Sequence, residues 1–296
     1  MFWYFDYDQP LFRPPSEARS LIFQITYGCS RNRCTFCGMY KMKRFRVRPV
    51  DEIRREIELV PATHRARIQR IFLADGDALI YPQPGLLQIL ELLDAAFPAL
   101  TRIGCYASPN ALAGKSRDEL EALRQRKLRI LYFGLESGDD ATLALIDKGF
   151  TGDEMLALCR KAQQAEMKLS VTAILGLAGR ARSREHAEAT ADWVNRLSPD
   201  YFSLLTMFRR NNGEHFRRIE QLSNGEVLEE ALLLVRRLDP QGTILRSNHV
   251  SNSLLLEGRY PRDRERVIAQ AETALQAARR HPDWYRQVPD YEEEVF

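Results

Sequence analysis

Along this chain, short apolar runs alternate with longer stretches whose apolar positions recur every three or four residues. The short runs are LIFQIT (21–26), RIFLAD (70–75), RIGCYA (102–107), RILYFGL (129–135), LSVTAIL (169–175) and YFSLLT (201–206). Each has the length and β-branched character of a strand buried on both faces. Between them lie VDEIRREIELV, GLLQILELLDAAF, SRDELEALRQRK, GDEMLALCRKAQQAE and SREHAEATADWVNRL, all of helical period. Ser116 and Ser183 stand where an N-cap belongs, each with acidic residues in the turn that follows.

Strict β/α alternation predicts an α/β fold with a parallel sheet and right-handed crossovers. Periodicity does not say whether that sheet is open or curled. After residue 206 the alternation weakens into a helix near 225–238, an ill-defined segment at 242–256, a helix near 262–280 and an acidic tail, DYEEEVF. The expected organisation is an N-terminal segment (1–19), a main domain (20–210) and a C-terminal, largely helical extension (211–296).

Composition adds little to this picture. The chain has 296 residues, 45% hydrophobic and 28% charged, enough for one large α/β domain. A net charge of +3 argues for neither nucleic acid nor a membrane surface as partner. No apolar run approaches the roughly 18 to 20 residues of a membrane helix. The start, MFWYFDYDQPLFRPP, lacks the basic and apolar regions of a signal peptide, so a cytoplasmic protein is expected.

The cysteines change the picture. Cys29, Cys34 and Cys37 fall within ITYGCSRNRCTFCGMY, directly after the first strand, and the chain's other two are Cys105 and Cys159. Parallel α/β proteins collect their chemistry at this end of the strands. Three buried small hydrophobes are one reading. A structural zinc site is a second, but it takes four protein ligands, and the fourth would have to come from scattered residues. An iron–sulfur cluster held by three thiolates is the third, with one iron left open for a ligand. Three thiols without a fourth suit that last reading best.

With CSRNRCTFC quoted, the sequence resembles the radical S-adenosylmethionine (radical SAM) superfamily, whose signature is three cysteines with an aromatic residue before the last. Phe36 fills the aromatic place, while the first gap is four residues instead of three. Later strand ends are similar too. ADGDAL, with Asp75, Gly76 and Asp77, resembles the motif that grips the methionine amino group, usually Gly-Gly-Glu. FGLESG resembles the GLESG motif of the elongator- and methylthiotransferase-like branch, implying cofactor contacts from Glu136 and Ser137. AILGLAGR resembles the segment packed along the adenine, through Leu175 and Gly176. By analogy Leu205, Thr206 and Met207 line the adenine pocket, and Ser108 and Asn110 in YASPN lie at the functional rim.

The resemblance covers residues 20 to 210 and implies a partial (β/α)6 TIM-like barrel. It implies a 4Fe–4S cluster on Cys29, Cys34 and Cys37, with S-adenosylmethionine on the open iron. Reductive cleavage then gives methionine and a 5′-deoxyadenosyl radical that abstracts hydrogen from a substrate. A one-electron donor of flavodoxin or ferredoxin type and oxygen sensitivity follow. Cys105 and Cys159 are expected in the core, and nothing suggests a second cluster or a cobalamin domain. The rivals are a non-catalytic zinc or iron–sulfur protein and, among enzymes, a tRNA-modifying one.

Substrate clues are charges. KMKRFRVRP (41–49) carries five positive residues just past the cluster loop. Arg209, Arg210, His215, Arg217 and Arg218 follow the sixth strand, and Arg246, Asn248 and His249 form a third polar group. Arginine forks suit carboxylate or phosphate, so a small or medium anionic substrate is expected. Tyr40 is a candidate to face it. Nucleic acid is disfavoured, since no appended binding module is visible.

Overall fold

The computed structural model of the chain describes residues 4–207 and 212–290. Its strands are β1 (Leu21–Gln24), β2 (Thr26–Tyr27), β3 (Arg46–Val47), β4 (Arg70–Ala74), β5 (Arg102–Ala107), β6 (Leu128–Glu136), β7 (Lys168–Leu175), β8 (Tyr201–Thr206), β9 (Ile244–Arg246) and β10 (Glu257–Arg259). The first eight α-helices are α1 (Val50–Leu59), α2 (Ala62–Arg65), α3 (Gln83–Ala96), α4 (Pro109–Ala113), α5 (Arg117–Gln125), α6 (Asp140–Leu145), α7 (Gly152–Gln164) and α8 (Ser183–Leu197). Four more follow: α9 (Gly213–Phe216), α10 (Asn224–Arg237), α11 (Arg264–Arg279) and α12 (Pro282–Arg286).

The main sheet runs β1-β4-β5-β6-β7-β8-β9-β10. The pairs β1/β4, β4/β5, β5/β6, β7/β8 and β8/β9 are parallel, and β9/β10 is antiparallel. The α/β class and the mostly parallel sheet with its strands in sequence order match the expectation. Two details do not. The first strand stops at Gln24, because Thr26 and Tyr27 turn away to pair with Arg46 and Val47 in a separate antiparallel ribbon. The ill-defined 242–256 segment holds β9, so the sheet continues past the sixth β/α unit.

The chain divides into two compact units: residues 1–32, 39–133 and 158–169, and residues 33–38, 134–157 and 170–296. In the first, Phe23, Phe72 and Phe97 are fully buried, and Phe23 meets Phe97 edge to face at 6.0 Å. Burying such a side chain contributes about 1.5–3 kcal/mol. Helix α3 offers Leu86, Ile89, Leu90 and Leu93 to this core, the 3–4 spacing of one helical face. In the second unit, α10 buries Val227, Ala231, Leu234 and Val235, and α11 packs on it through Val267, Ala271 and Leu275.

Helix starts follow their caps where the sequence offers one. Ser116 closes a capping box with Glu119 on α5, and Ser223 does so with Glu226 on α10. Ser183 behaves differently from expectation. It is the first residue of α8, not its cap, and its hydroxyl donates to Glu230 instead.

The N-terminal segment is pinned by one buried carboxylate in the first unit. Glu17 is fully buried and accepts from Arg102 at 2.6 Å, from the Tyr132 hydroxyl and from Ser20. Gly104 in β5 leaves room for it, since a Cβ there would lie 3.3 Å from Glu17 Oε1 and 3.0 Å from Ile130. Replacing Glu17→Ala leaves Arg102 and the Tyr132 hydroxyl without their acceptor. It is expected to cost about 3 kcal/mol of stability in urea unfolding, and Gly104→Ala about 1–3 kcal/mol by crowding the same site.

Candidate functional site: the strand ends and the cysteine loop

In the first unit, the polar groups at the end of β4 are spent on the protein itself. Asp75 is fully buried. Its Oδ2 accepts from the Gly28 amide and from Lys43 Nζ, both at 3.0 Å, and Oδ1 from Gln24 at 3.2 Å. Burial pushes its pKa up, against the pull of Gly28, Lys43 and Gln24. Lys43 is buried in turn, with Asp8 as its second acid, 3.2 Å away. The Gly76 amide donates to Gly28 O at 3.1 Å. Asp77, also fully buried, accepts from the Ser108 amide and hydroxyl at 2.9 and 2.7 Å and from the Ser30 hydroxyl.

These three residues therefore act as struts between strand ends and the start of the cysteine loop. Ser108 completes the arrangement by capping α4 through the Ala111 amide. Gly76 makes a close approach, but to Tyr40: a Cβ would overlap that ring. Tyr40 is 3% exposed and packs edge-on to Phe12 at 5.6 Å, inside the fold. Asn32 ties the loop's two ends, donating to Tyr40 O at 2.7 Å and Lys43 O at 3.3 Å.

Cys29 belongs to the first unit, Cys34 and Cys37 to the second. All three are partly exposed thiols, whereas Cys105 and Cys159 are buried, and none of the five is in a disulfide. Burial raises the Cys105 pKa far above the usual thiol range, which keeps it protonated and unsuited as a ligand. A tight turn brings Cys34 and Cys37 together, with the Cys37 amide donating to Cys34 O at 3.3 Å. Phe36 between them is half-buried. Among the described residues, no three His, Cys, Asp or Glu side chains converge to hold a single ion. A cubane takes each thiolate on a different iron, and Cys29, Cys34 and Cys37 each offer a partly exposed thiol of the right chemistry for it.

The second half of the loop is anchored within the second unit. The Thr35 amide donates to Ile146 O at 3.0 Å, at the end of α6. Its hydroxyl lies 3.5 Å from His215 Nδ1, and His215 Nε2 donates to Leu177 O at 2.9 Å. His215, expected at a substrate rim, is instead wholly buried, and burial lowers its pKa, so the ring is neutral. Sequence reasoning missed this link because Thr35 and His215 lie 180 positions apart.

The GLESG turn is built from four separate requirements. A Cβ at Gly134 would overlap Glu136 Oε1, so the glycine lets that carboxylate fold back along the strand. Glu136 has a positive φ of 68° and pairs with the nearly buried Lys148 at 3.2 Å. Ser137 is fully buried, 2.8 Å from His186 Nδ1. Gly138 presses on the backbone of α8, where a Cβ would overlap Ala189 O, and its amide donates to Thr190 at 2.9 Å. Lys148, His186 and Thr190 carried no motif in the sequence.

At the next turn, Gly176 has a φ of 79° and its amide donates to Glu230 at 2.7 Å, while Leu175 O accepts from the Met207 amide at 2.9 Å. Thr206 is held by the C-terminal segment: its amide donates to Ser251 at 3.0 Å and its hydroxyl to Asn252 at 2.8 Å. Leu205 is half-buried on the opposite strand face. His249 lies just past β9, its Nδ1 2.8 Å from the same Ser251 hydroxyl. Arg246 parts from it, its guanidinium 5.0 Å from the centre of the Tyr201 ring at the start of β8. Arg209 and Arg210 lie outside the described residues.

The basic stretch divides as well. Lys43 and Arg48 are buried against acids, Arg48 on Glu52 and Glu56 at 3.0 and 2.7 Å. Lys41, Arg44 and Arg46 remain exposed. Arg44 and Arg46 border a cleft of about 620 Å³ with Tyr7, Asp8, Tyr27 and Met42. No helix among the described residues is long and apolar enough to cross a membrane.

Lys43→Met leaves Asp75 buried without its cation and is expected to cost about 3–5 kcal/mol at neutral pH. A carboxyl whose pKa rises on folding destabilises the fold increasingly from the unfolded pKa, near 4, up to its raised native value. The deficit of Lys43→Met should therefore shrink on acidification, as protonation removes the unpaired charge. Urea unfolding at pH 7.5 and pH 5 checks the sign.

Comparison with known proteins agrees with this arrangement. The sequence profile of the Radical SAM superfamily matches residues 23–194. A Methanocaldococcus jannaschii protein named "Putative methylthiotransferase MJ0865" is 26% identical over 148 residues, 48% of this chain and 32% of that protein. The fold is similar to Escherichia coli coproporphyrinogen III oxidase (HemN), a radical SAM enzyme, with a TM-score of 0.52, 19% identity and coverage of 68% of this chain and 47% of that one. It is also similar to methylornithine synthase (PylB), with a TM-score of 0.53, 16% identity and coverage of 88% and 81%. The chain thus spans about a third of the curated relative and about half of HemN. With more than half of its length under the superfamily profile, the chain belongs to the radical SAM superfamily, whose cofactors are a 4Fe–4S cluster and S-adenosylmethionine.

Proposed function

We propose that this protein is a radical SAM enzyme whose cluster is held by Cys29, Cys34 and Cys37 and whose substrate is a small or medium anionic molecule. The observation that carries the reading is the contrast among the cysteines: three accessible thiols in the loop after β1, under the superfamily profile, and two sealed in the core. Held by these thiolates, the cluster would supply the one-electron reduction that cleaves S-adenosylmethionine, and with it radical hydrogen abstraction from the substrate. The chain's own work is to place and shield. With the side chains of Asp75 and Asp77 engaged by the protein, a main-chain carbonyl of residues 75–77 would accept from the methionine ammonium. Glu136, Leu175–Gly176 and Leu205–Met207 would face the rest of the cofactor. Exposed Lys41, Arg44 and Arg46 support an anionic substrate or an acidic electron donor of flavodoxin or ferredoxin type.

The name of the M. jannaschii relative favours a second reading, methylthio transfer. Among the described residues, the two cysteines outside the loop, Cys105 and Cys159, are buried, on β5 and α7.

Anaerobic reconstitution of the whole chain tests the proposal. Wild-type protein, Cys105→Ser and Cys159→Ala should each carry about four irons and four sulfides. Reduced with S-adenosylmethionine, they should release 5′-deoxyadenosine. Alanine at Cys29, Cys34 or Cys37 should abolish both, and colourless zinc-loaded wild-type protein would sink the reading. His215→Leu, which keeps all three thiols, is expected to lose iron several-fold faster under a chelator, because Thr35 then has no anchor on Leu177.

A further inference from the structure

Two turns named in the proposal share a buried polar chain that no motif revealed. Ser137, after β6, has its Oγ accepting from the Asp139 amide at 3.0 Å and lying 2.8 Å from His186 Nδ1. His186 Nε2 points at Glu230 Oε1, 3.8 Å away, and makes no hydrogen bond of its own. That same Oε1 accepts the Gly176 amide at 2.7 Å, and Oε2 accepts the Ser183 hydroxyl. Ser137, His186 and Glu230 are 0%, 0% and 2% exposed.

The direction of this chain follows from its end. A carboxylate facing Nε2 favours a hydrogen on that nitrogen, so Nδ1 is the acceptor and the Ser137 hydroxyl donates to it. Such a chain is an expensive way to fill a core. Apolar side chains of similar volume would pack at lower cost, because Glu230 loses its hydration and its pKa is pushed up by burial. Apolar groups would not, however, hold the Ser137 hydroxyl and the Gly176 amide in fixed positions.

We infer that His186 and Glu230 are positioning residues for S-adenosylmethionine, setting the turn after β6 and the turn after β7 through one hydrogen-bonded and electrostatic chain. The inference rests on the reading that Glu136 and Leu175–Gly176 contact that cofactor. Neither His186 nor Glu230 touches it. Glu230 lies on α10, beyond the matched residues 23–194, so the C-terminal segment is part of the cofactor site.

The test is S-adenosylmethionine affinity, by equilibrium dialysis on anaerobically reconstituted, unreduced full-length protein. Glu230→Gln and His186→Leu should each raise Kd about tenfold, with iron and sulfide content at the wild-type level. The double variant should bind no more weakly than the weaker single, because both act through one chain. Wild-type Kd with only a lowered melting temperature marks a purely structural role and overturns the inference, as does a double variant whose effect is the product of the singles. Should either variant fail to fold, Ser137→Ala, which removes one hydroxyl, decides in the same way by its Kd. Wild-type protein that carries the full cluster yet binds no S-adenosylmethionine overturns the functional reading and this inference together. Binding by wild type with unmoved variants overturns the inference alone.

Discussion

A carboxylate removed from water has to be met by donors on every side, and Asp75 meets that condition by drawing three chain segments onto itself. Gln24 comes from β1, Gly28 from the opening of the cysteine loop and Lys43 from its far side. Because each donor is a different piece of backbone, satisfying one buried charge fixes where the loop leaves β1 and where it returns. Asp77 repeats the logic with Ser30 and Ser108. Within the first unit, a functional loop without regular structure is thus held by charge satisfaction rather than by strand pairing.

The second unit uses the same physics around a turn. Two of the GLESG residues are there because a side chain would collide, Gly134 with the Glu136 carboxylate and Gly138 with α8. Glu136 takes a positive φ that non-glycine residues visit at a cost. Lys148, nearly buried beside it, gives that carboxylate a fixed partner. Strain and burial together leave the turn few alternative shapes.

Much of this architecture was legible in the sequence. The strand runs at 70–75, 102–107, 129–135, 169–175 and 201–206 all fold as strands because burial on both faces leaves an unambiguous apolar run. The run at 21–26 misled because Ile25 is as apolar as its neighbours, while pairing of Thr26 and Tyr27 with Arg46 and Val47 is a long-range choice. β9 was missed because three residues of ILR carry no period. At the site, residue types were readable and their engagement was not. Asp75, Asp77, Tyr40 and His215 look like ligand-facing groups in a linear motif, yet each is buried, and only the fold reveals what they hold.

The basic stretch shows why charge counts in a motif overstate its field. Lys41, Lys43, Arg44, Arg46 and Arg48 read as one positive cluster. Lys43 answers Asp75 and Asp8, and Arg48 answers Glu52 and Glu56, so their fields are cancelled within a few ångströms. Arg46 adds a guanidinium 4.3 Å from the Tyr27 ring centre, which holds it flat without neutralising it. Attraction at a distance is left to Lys41, Arg44 and Arg46, screened beyond about 8–10 Å at physiological salt. Three exposed charges beside a loop suit one phosphate or carboxylate group, or the edge of an acidic protein.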